Sequence, residues 1–206
     1  MLIIEKIPVT DFGTNCYILW QKGNNSCVVI DPGGDVARIN LLLSEYNLQP
    51  ESILLTHGHI DHIGGCEHFD SDIFIHVLDK EFLKKPQLNL SAFLLRPFKI
   101  NKPALTFEDS KLSFPKTDLE IEVIHTPGHT PGSCCFLVEN NLFSGDTLFF
   151  EGIGRTDFPH ASYHDLINSI KNKLLVLPPD TRVFPGHGPE TTIGYELQNN
   201  EFLKDG

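Results

Sequence analysis

Thr56-His57-Gly58-His59-Ile60-Asp61-His62 puts four potential metal ligands within six residues, directly after the apolar run Ser52–Thr56. That run reads as a buried strand. Side chains two apart in an extended segment project to the same side, so His57 and His59 face one another as a chelate requires. Asp61 and His62 then open the next helix and turn toward the same cleft. Imidazole and carboxylate together suit zinc, iron or manganese, and four such groups this close favour two ions over one.

Three further segments set a ligand-type residue beside turn-forming glycines: His125-Thr126-Pro127-Gly128-His129-Thr130-Pro131-Gly132, Ser144-Gly145-Asp146-Thr147, and Phe184-Pro185-Gly186-His187-Gly188-Pro189. Each follows or ends a strand. Loops at strand ends, positioned by a rigid sheet, are where such groups are usually held, and glycine lets backbone come close to a metal.

Around these segments the first half reads as strands Leu2–Ile7, Cys16–Trp20 and Cys27–Asp31, the last running into Asp31-Pro32-Gly33-Gly34. Val36, Ile39, Leu42 and Leu43 recur at helical spacing from Asp35 to Tyr46, with Asp35 placed to cap the first turn. The second half repeats the pattern, with strands at Leu119–His125, Ser133–Glu139, Asn141–Ser144 and Arg182–Phe184 and a helix over about Ser162–Leu175. Two sheets flanked by helices are expected. The segment Pro86–Pro103, framed by prolines and without a clean period, reads either as a substrate lid or as a surface loop carrying a hydrophobic plug.

With 206 residues, 40 % hydrophobic and 21 % charged, the chain is expected to fold as one domain spanning 1–206. Its net charge of -11 argues against a nucleic-acid partner, so any positive potential has to come from bound metal. No apolar run approaches the roughly 20 residues that span a bilayer, and Glu5 stands where a signal peptide carries basic residues. The expectation is a cytoplasmic protein with no membrane partner. The five cysteines are an odd number without a CxxC spacing and read as buried reduced thiols, with Cys134 and Cys135 on opposite faces of a strand.

In order and spacing, HGHIDH followed by GHT, GDT and GHG resembles the motif series of the metallo-β-lactamase superfamily over nearly the whole chain. The resemblance implies an α/β fold of four layers, an αββα sandwich, with the site at one edge of the two sheets. It implies two divalent metal ions per chain, zinc before iron or manganese. His57, His59 and His129 match the first metal set, Asp61, His62 and His187 the second, and Asp146 the carboxylate that bridges them. Asp31 resembles the family's buried loop-pinning aspartate, an ordinary turn aspartate being the other reading. Of the remaining histidines, His68 and His76 read as structural or surface residues, and His125, four residues before His129, as structural before a residue that supports a metal ligand. His160 and His164 lie either on the surface or at the cleft mouth.

The resemblance implies a hydrolase whose nucleophile is a metal-bridging hydroxide, formed when two cations lower the pKa of water from about 15.7 toward about 7. One metal polarises the substrate carbonyl, and Asp61 holds the second metal and orients the water, which makes it the catalytic residue. No GxSxG motif is present. Gly154-Arg155-Thr156-Asp157-Phe158 and the ending GHGPETTIGYELQNNEFL are similar to the glyoxalase II branch, which points to a small-molecule thioester such as S-lactoylglutathione. Two-domain glyoxalase II carries a helical domain beyond the last metal histidine that contacts glutathione. Residues 188–206 follow His187 here, so the expectation is a short relative whose substrate contacts come from Arg155 and the Pro86–Pro103 segment. Arg155 is equally an ion-pair partner for Asp157. A persulfide dioxygenase of the same fold, with a single iron, is the alternative. Lactamases of this fold typically carry Cys where Asp146 stands, which sets β-lactams aside.

Overall fold

In the computed structural model residues 1–204 are described, the last two residues of the expected 1–206 domain lying outside them. The chain opens with β1 (Leu2–Val9), β2 (Thr14–Gln21) and β3 (Ser26–Ile30), then α1 (Val36–Glu45), β4 (Gln49–Leu54), the single turn α2 (Ile60–Ile63), β5 (Asp72–His76) and β6 (Ala104–Phe107). These strands form one sheet in chain order, antiparallel through β3 and parallel from there on. Next come β7 (Lys111–Phe114), β8 (Leu119–His125), β9 (Cys134–Val138), β10 (Asn141–Gly145), the hairpin β11 (Leu148–Phe149) and β12 (Gly152–Ile153), α3 (Tyr163–Ser169), β13 (Arg182–Pro185), β14 (Thr191–Thr192) and α4 (Ile193–Asn199). The second sheet runs β14-β13-β10-β9-β8-β7.

Strand alternation sorts the apolar residues into three interfaces. Along β2, Cys16, Ile18 and Trp20 pack outward with Ile39 and Leu43 of α1, whereas Tyr17 and Leu19 face the second sheet. There they meet Cys134, Phe136, Phe143 and Phe184, the rings of Tyr17 and Phe143 lying edge to face with centroids 5.2 Å apart. Cys135, Leu142 and Val183 point out of the second sheet onto Leu166, Ile170 and Leu174. Helix, sheet, sheet, helix is therefore the order of layers, the αββα sandwich. Cys134 and Cys135 do lie on opposite faces, and all five cysteines are free and buried. Burial pushes the Cys27 thiol up to about 12, as expected of inert thiols. Among the described residues no helix is long and apolar enough to cross a membrane.

Four details differ from the sequence reading. Asp35 sits at the start of α1, but its backbone is left-handed (φ 47°) and its side chain accepts the amide of Thr10 at 3.1 Å rather than one in the first turn. Its carbonyl takes the amides of Arg38 and Ile39 instead. The expected strand Ser52–Thr56 starts earlier and leaves the sheet after Leu54, because Thr56 is drawn to Asp31. The helix expected over Ser162–Leu175 is α-helical only to Ser169 and continues as a wider π-type turn over Ile170–Leu174. The strands β5 to β7 and helix α4 lie in stretches without a clear periodic pattern in the sequence.

β3 and β4 are parallel, as are β10 and β13, while β8 matches the direction of β10 through the antiparallel β9. Their C-terminal ends deliver Asp31, the His57–His62 segment, His129, Asp146 and His187 to one edge of the sandwich. Beside that edge His76 is buried and its ring stacks on His125 at 4.1 Å, which makes both structural. Burial, with the neighbouring His125, lowers His76 to about 4 from its ordinary 6.5. A histidine that resists protonation only when folded contributes stability above its unfolded pKa, and that contribution disappears as pH falls through the folded one. Replacing His76 by Phe is expected to flatten the loss of stability between pH 6.5 and pH 4, measured as the shift in urea midpoint across that window. An unchanged slope would remove His76 from the acid response.

Candidate metal centre

Asp31, at the end of β3, accepts three hydrogen bonds: from the Thr56 amide (2.8 Å), the Thr56 hydroxyl (2.6 Å) and His62 Nδ1 (2.9 Å). It is a loop pin, not an ordinary turn residue. Because the Thr56 hydroxyl donates to Asp31, its oxygen is left to accept from His57 Nδ1 at 3.1 Å. His129 Nδ1 lies 2.8 Å from the Arg155 carbonyl and His187 Nδ1 3.2 Å from the Phe12 carbonyl. Carbonyl and carboxylate oxygens can only accept, so Nδ1 of His62, His129 and His187 carries the proton. Nε2 of each then faces inward, the arrangement metal-binding histidines adopt, and any second proton it carries is the one a metal ion would displace.

The inward-facing nitrogens converge. His57 Nε2 lies 3.2 Å and His129 Nε2 2.9 Å from His59 Nδ1. Nitrogens bound to one tetrahedral zinc at about 2.0–2.1 Å sit roughly 3.3 Å apart, so this spacing fits a shared cation. In the second group Asp61 Oδ2 is 3.6 Å from His62 Nε2 and 3.3 Å from His187 Nε2. Asp146 stands between the groups, with Oδ2 3.5 Å from His129 Nε2 and 3.6 Å from His187 Nε2, and Oδ1 3.3 Å from His62 Nε2. His62 Nε2 and Asp146 Oδ1 are buried without a hydrogen-bond partner, which is costly unless a cation meets them. The His/Asp cluster fits a dimetal site.

Burial, aided by neighbouring imidazoles, holds His57 well below its ordinary value and His59 down to about 3, so both keep their lone pairs at neutral pH. Burial alone would also discharge His62, but the summed charge of Asp61, Asp146 and Asp31 outweighs it and raises its pKa. Despite burial, the His62 charge holds Asp146 down to about 2 and Asp61 below the usual carboxylate range. The carboxylates form a well for positive charge.

Asp79, which the sequence reading did not single out, joins the Gly58 loop to the loop between β8 and β9. Fully buried, it accepts the amides of Gly58 (2.9 Å) and Gly132 (2.7 Å) and the Thr130 hydroxyl (2.7 Å). Burial pushes its carboxyl up to about 6, against these donors. With Lys80 and Glu81 directly after it, nothing local in the sequence marks Asp79 as buried. Thr14 also went unnoticed, although its hydroxyl donates to Asp61 Oδ2 at 3.0 Å. Backbone approach matters at two glycines: a Cβ on Gly33 would lie 1.4 Å from the Asp61 carbonyl, and one on Gly186 would lie 2.2 Å from Asp146 Oδ1.

The cluster floors a cleft of about 840 Å³ that Arg155, Asp157 and Phe158 border. Arg155 borders the cleft and forms the expected ion pair with Asp157 at 2.7 Å while lying over the Phe158 ring at 4.4 Å. His160 and His164 are not among the residues that line this cleft; both are exposed. His68 is likewise exposed.

A four-layer αββα sandwich with a histidine and aspartate cluster at the sheet edge defines a class of metal-dependent hydrolases, and the chain belongs to it: residues 9–187 match the metallo-β-lactamase superfamily. Within that class it is 39 % identical to "Hydroxyacylglutathione hydrolase GloC" of Haemophilus influenzae, over 97 % of this chain and 97 % of that protein. Among solved structures, that of BLEG-1 B3 metallo-beta-lactamase superposes with a TM-score of 0.92 at 40 % identity, covering 98 % of this chain and 100 % of that one. TTHA1623 in a di-iron-bound form gives a TM-score of 0.86 at 36 % identity over 97 % of this chain and 100 % of its own.

Asp31 links the first loop to His62, so Asp31→Asn is expected to weaken zinc binding by about 10–100-fold, the usual consequence of losing a group that orients a ligand. Competition against a chromophoric chelator measures this, and unchanged zinc affinity would reduce Asp31 to a purely structural pin.

Proposed function

We propose that this protein is a binuclear metal hydrolase that cleaves thioesters, S-lactoylglutathione among them. The observation that carries the reading is Asp146, whose oxygens face His129 on one side and His62 and His187 on the other. His57, His59 and His129 would hold one cation and Asp61, His62 and His187 the other, with Asp146 placed to serve both. Two such cations supply Lewis acidity, lowering the pKa of water from about 15.7 toward about 7 and opposing negative charge on a carbonyl oxygen. Asp61, steadied by the Thr14 hydroxyl, orients the attacking water. Arg155, at the cleft border, meets an anionic group of the substrate. Zinc suits this nitrogen-rich set, and the di-iron form of TTHA1623 supports iron as well.

The name of the Haemophilus influenzae relative supports a hydroxyacylglutathione substrate, and that protein is matched over 97 % of its length. The likeness to BLEG-1, named as a lactamase, favours a second reading in which the acyl compound is a β-lactam. The full second ligand set weighs against a dioxygenase built on a single iron.

Elemental analysis is expected to return two metal ions per chain, with hydrolysis of S-lactoylglutathione that Asp146→Ala lowers by more than about 100-fold, since losing a ligand exceeds losing a group behind one. Near-normal turnover in Asp146→Ala would overturn the ligand assignment. A chromogenic cephalosporin cleaved faster than any thioester would move the protein to the lactamase reading. One tightly bound iron, with oxygen consumed on glutathione persulfide and no thioester cleaved, would make it a dioxygenase.

A further inference from the structure

The walls of the cleft above the metal cluster differ in chemistry from its floor. Phe12, Leu90, Phe93, Leu94, Phe149 and Phe158 line them, and Arg155 is the only lysine or arginine among the lining residues. Its charge is offset by the ion pair with Asp157. The aromatic rings reach the cluster itself: Phe158 lies 5.5 Å from His59 and Phe149 lies 6.1 Å from His187, centroid to centroid.

One wall is a clamped loop. The Asn89 side chain, fully buried, donates to the carbonyls of Phe82 (2.9 Å) and Phe98 (3.1 Å), and its backbone carbonyl accepts the amide of Ile60 at 2.9 Å, one residue before Asp61. The Ser91 hydroxyl accepts the Phe98 amide at 2.9 Å. Above this tied base Phe93 is 68 % and Leu95 90 % exposed. Leu90 is held at φ 68°, a left-handed conformation that is costly for leucine, while its residue lines the cleft. Apolar side chains kept in water by a rigid base beside a reactive centre mark a surface built for an apolar ligand group.

We propose that these walls form a subsite for an uncharged hydrocarbon or aryl group attached at the acyl side of the scissile bond, so that among thioesters those with apolar acyl groups are preferred. This rests on the thioester hydrolase reading. Phe93 and Leu94 are its specificity-determining residues.

Calorimetric titration of the zinc-loaded protein with acetate, butyrate and hexanoate, the carboxylates released from such substrates, measures the subsite without turnover. Affinity is expected to rise by about fourfold for each methylene buried. Hydrolysis of the acetyl, butyryl and hexanoyl thioesters of N-acetylcysteamine, a neutral thiol, is expected to follow through kcat/KM. Phe93→Ser and Leu94→Ser should flatten both series, whereas Val176→Ser, an exposed site outside the cleft, should leave them unchanged. Carboxylate affinity that does not vary with chain length overturns the subsite whatever the turnover, and an undiminished series in both loop variants overturns its assignment to this loop. Chain-length-dependent binding with no thioester cleaved keeps the subsite and removes the hydrolase reading.

Discussion

One buried carboxylate organises the edge of the sandwich. Asp31 sits in a left-handed conformation, φ 51°, at the end of a central strand and takes three donors, two from Thr56 and one from His62. By drawing Thr56 out of the sheet it starts the loop that carries His57 and His59, and by holding Nδ1 of His62 it aims Nε2 at the other ligands. Hydrogen bonds to an ionised acceptor shielded from water are stronger than neutral ones, and a donor stripped of such a partner would be left buried and unsatisfied. The loop therefore has few alternative conformations before any cation arrives. Asp79 repeats the device on the far side, where its three donors come from both the Gly58 and the Gly132 loops.

The two carboxylate pins allow imidazoles to crowd at about van der Waals distance in a dry environment. Packed neutral, His57 and His59 avoid mutual repulsion, while the acids beside His62 keep that corner attractive to positive charge. The apolar rings of Phe149 and Phe158 complete the enclosure and lower the local dielectric, which strengthens every interaction of a charge held there.

The histidine and aspartate cluster was legible in the sequence because its chemistry is rare and grouped: HGHIDH, GHT, GDT and GHG carry residues that have little other reason to recur beside strand-ending glycines. The four layers were legible through alternation, as in β2, where odd and even residues serve different interfaces. What stayed hidden has no local pattern. β5 to β7 are short and pair with partners remote in sequence, so their stability comes from the sheet rather than from propensity. Asp79 looks like any surface acid in a polar chain until the fold closes over it. The carbonyls of Phe12 and Arg155, which set the tautomers of His187 and His129, belong to the backbone, and no side-chain motif announces them.

The ligands are also ordered in time. Translation delivers the chain from its N-terminus, and the histidines of the first set are all present once His129 has left the ribosome, with the first sheet already available to hold His57 and His59. The second set stays open until His187 emerges and β13 docks beside β10. The centre is therefore completed from the C-terminal side: the Arg155 carbonyl that orients His129, and then His187 itself, arrive after the loop that carries most of the histidines.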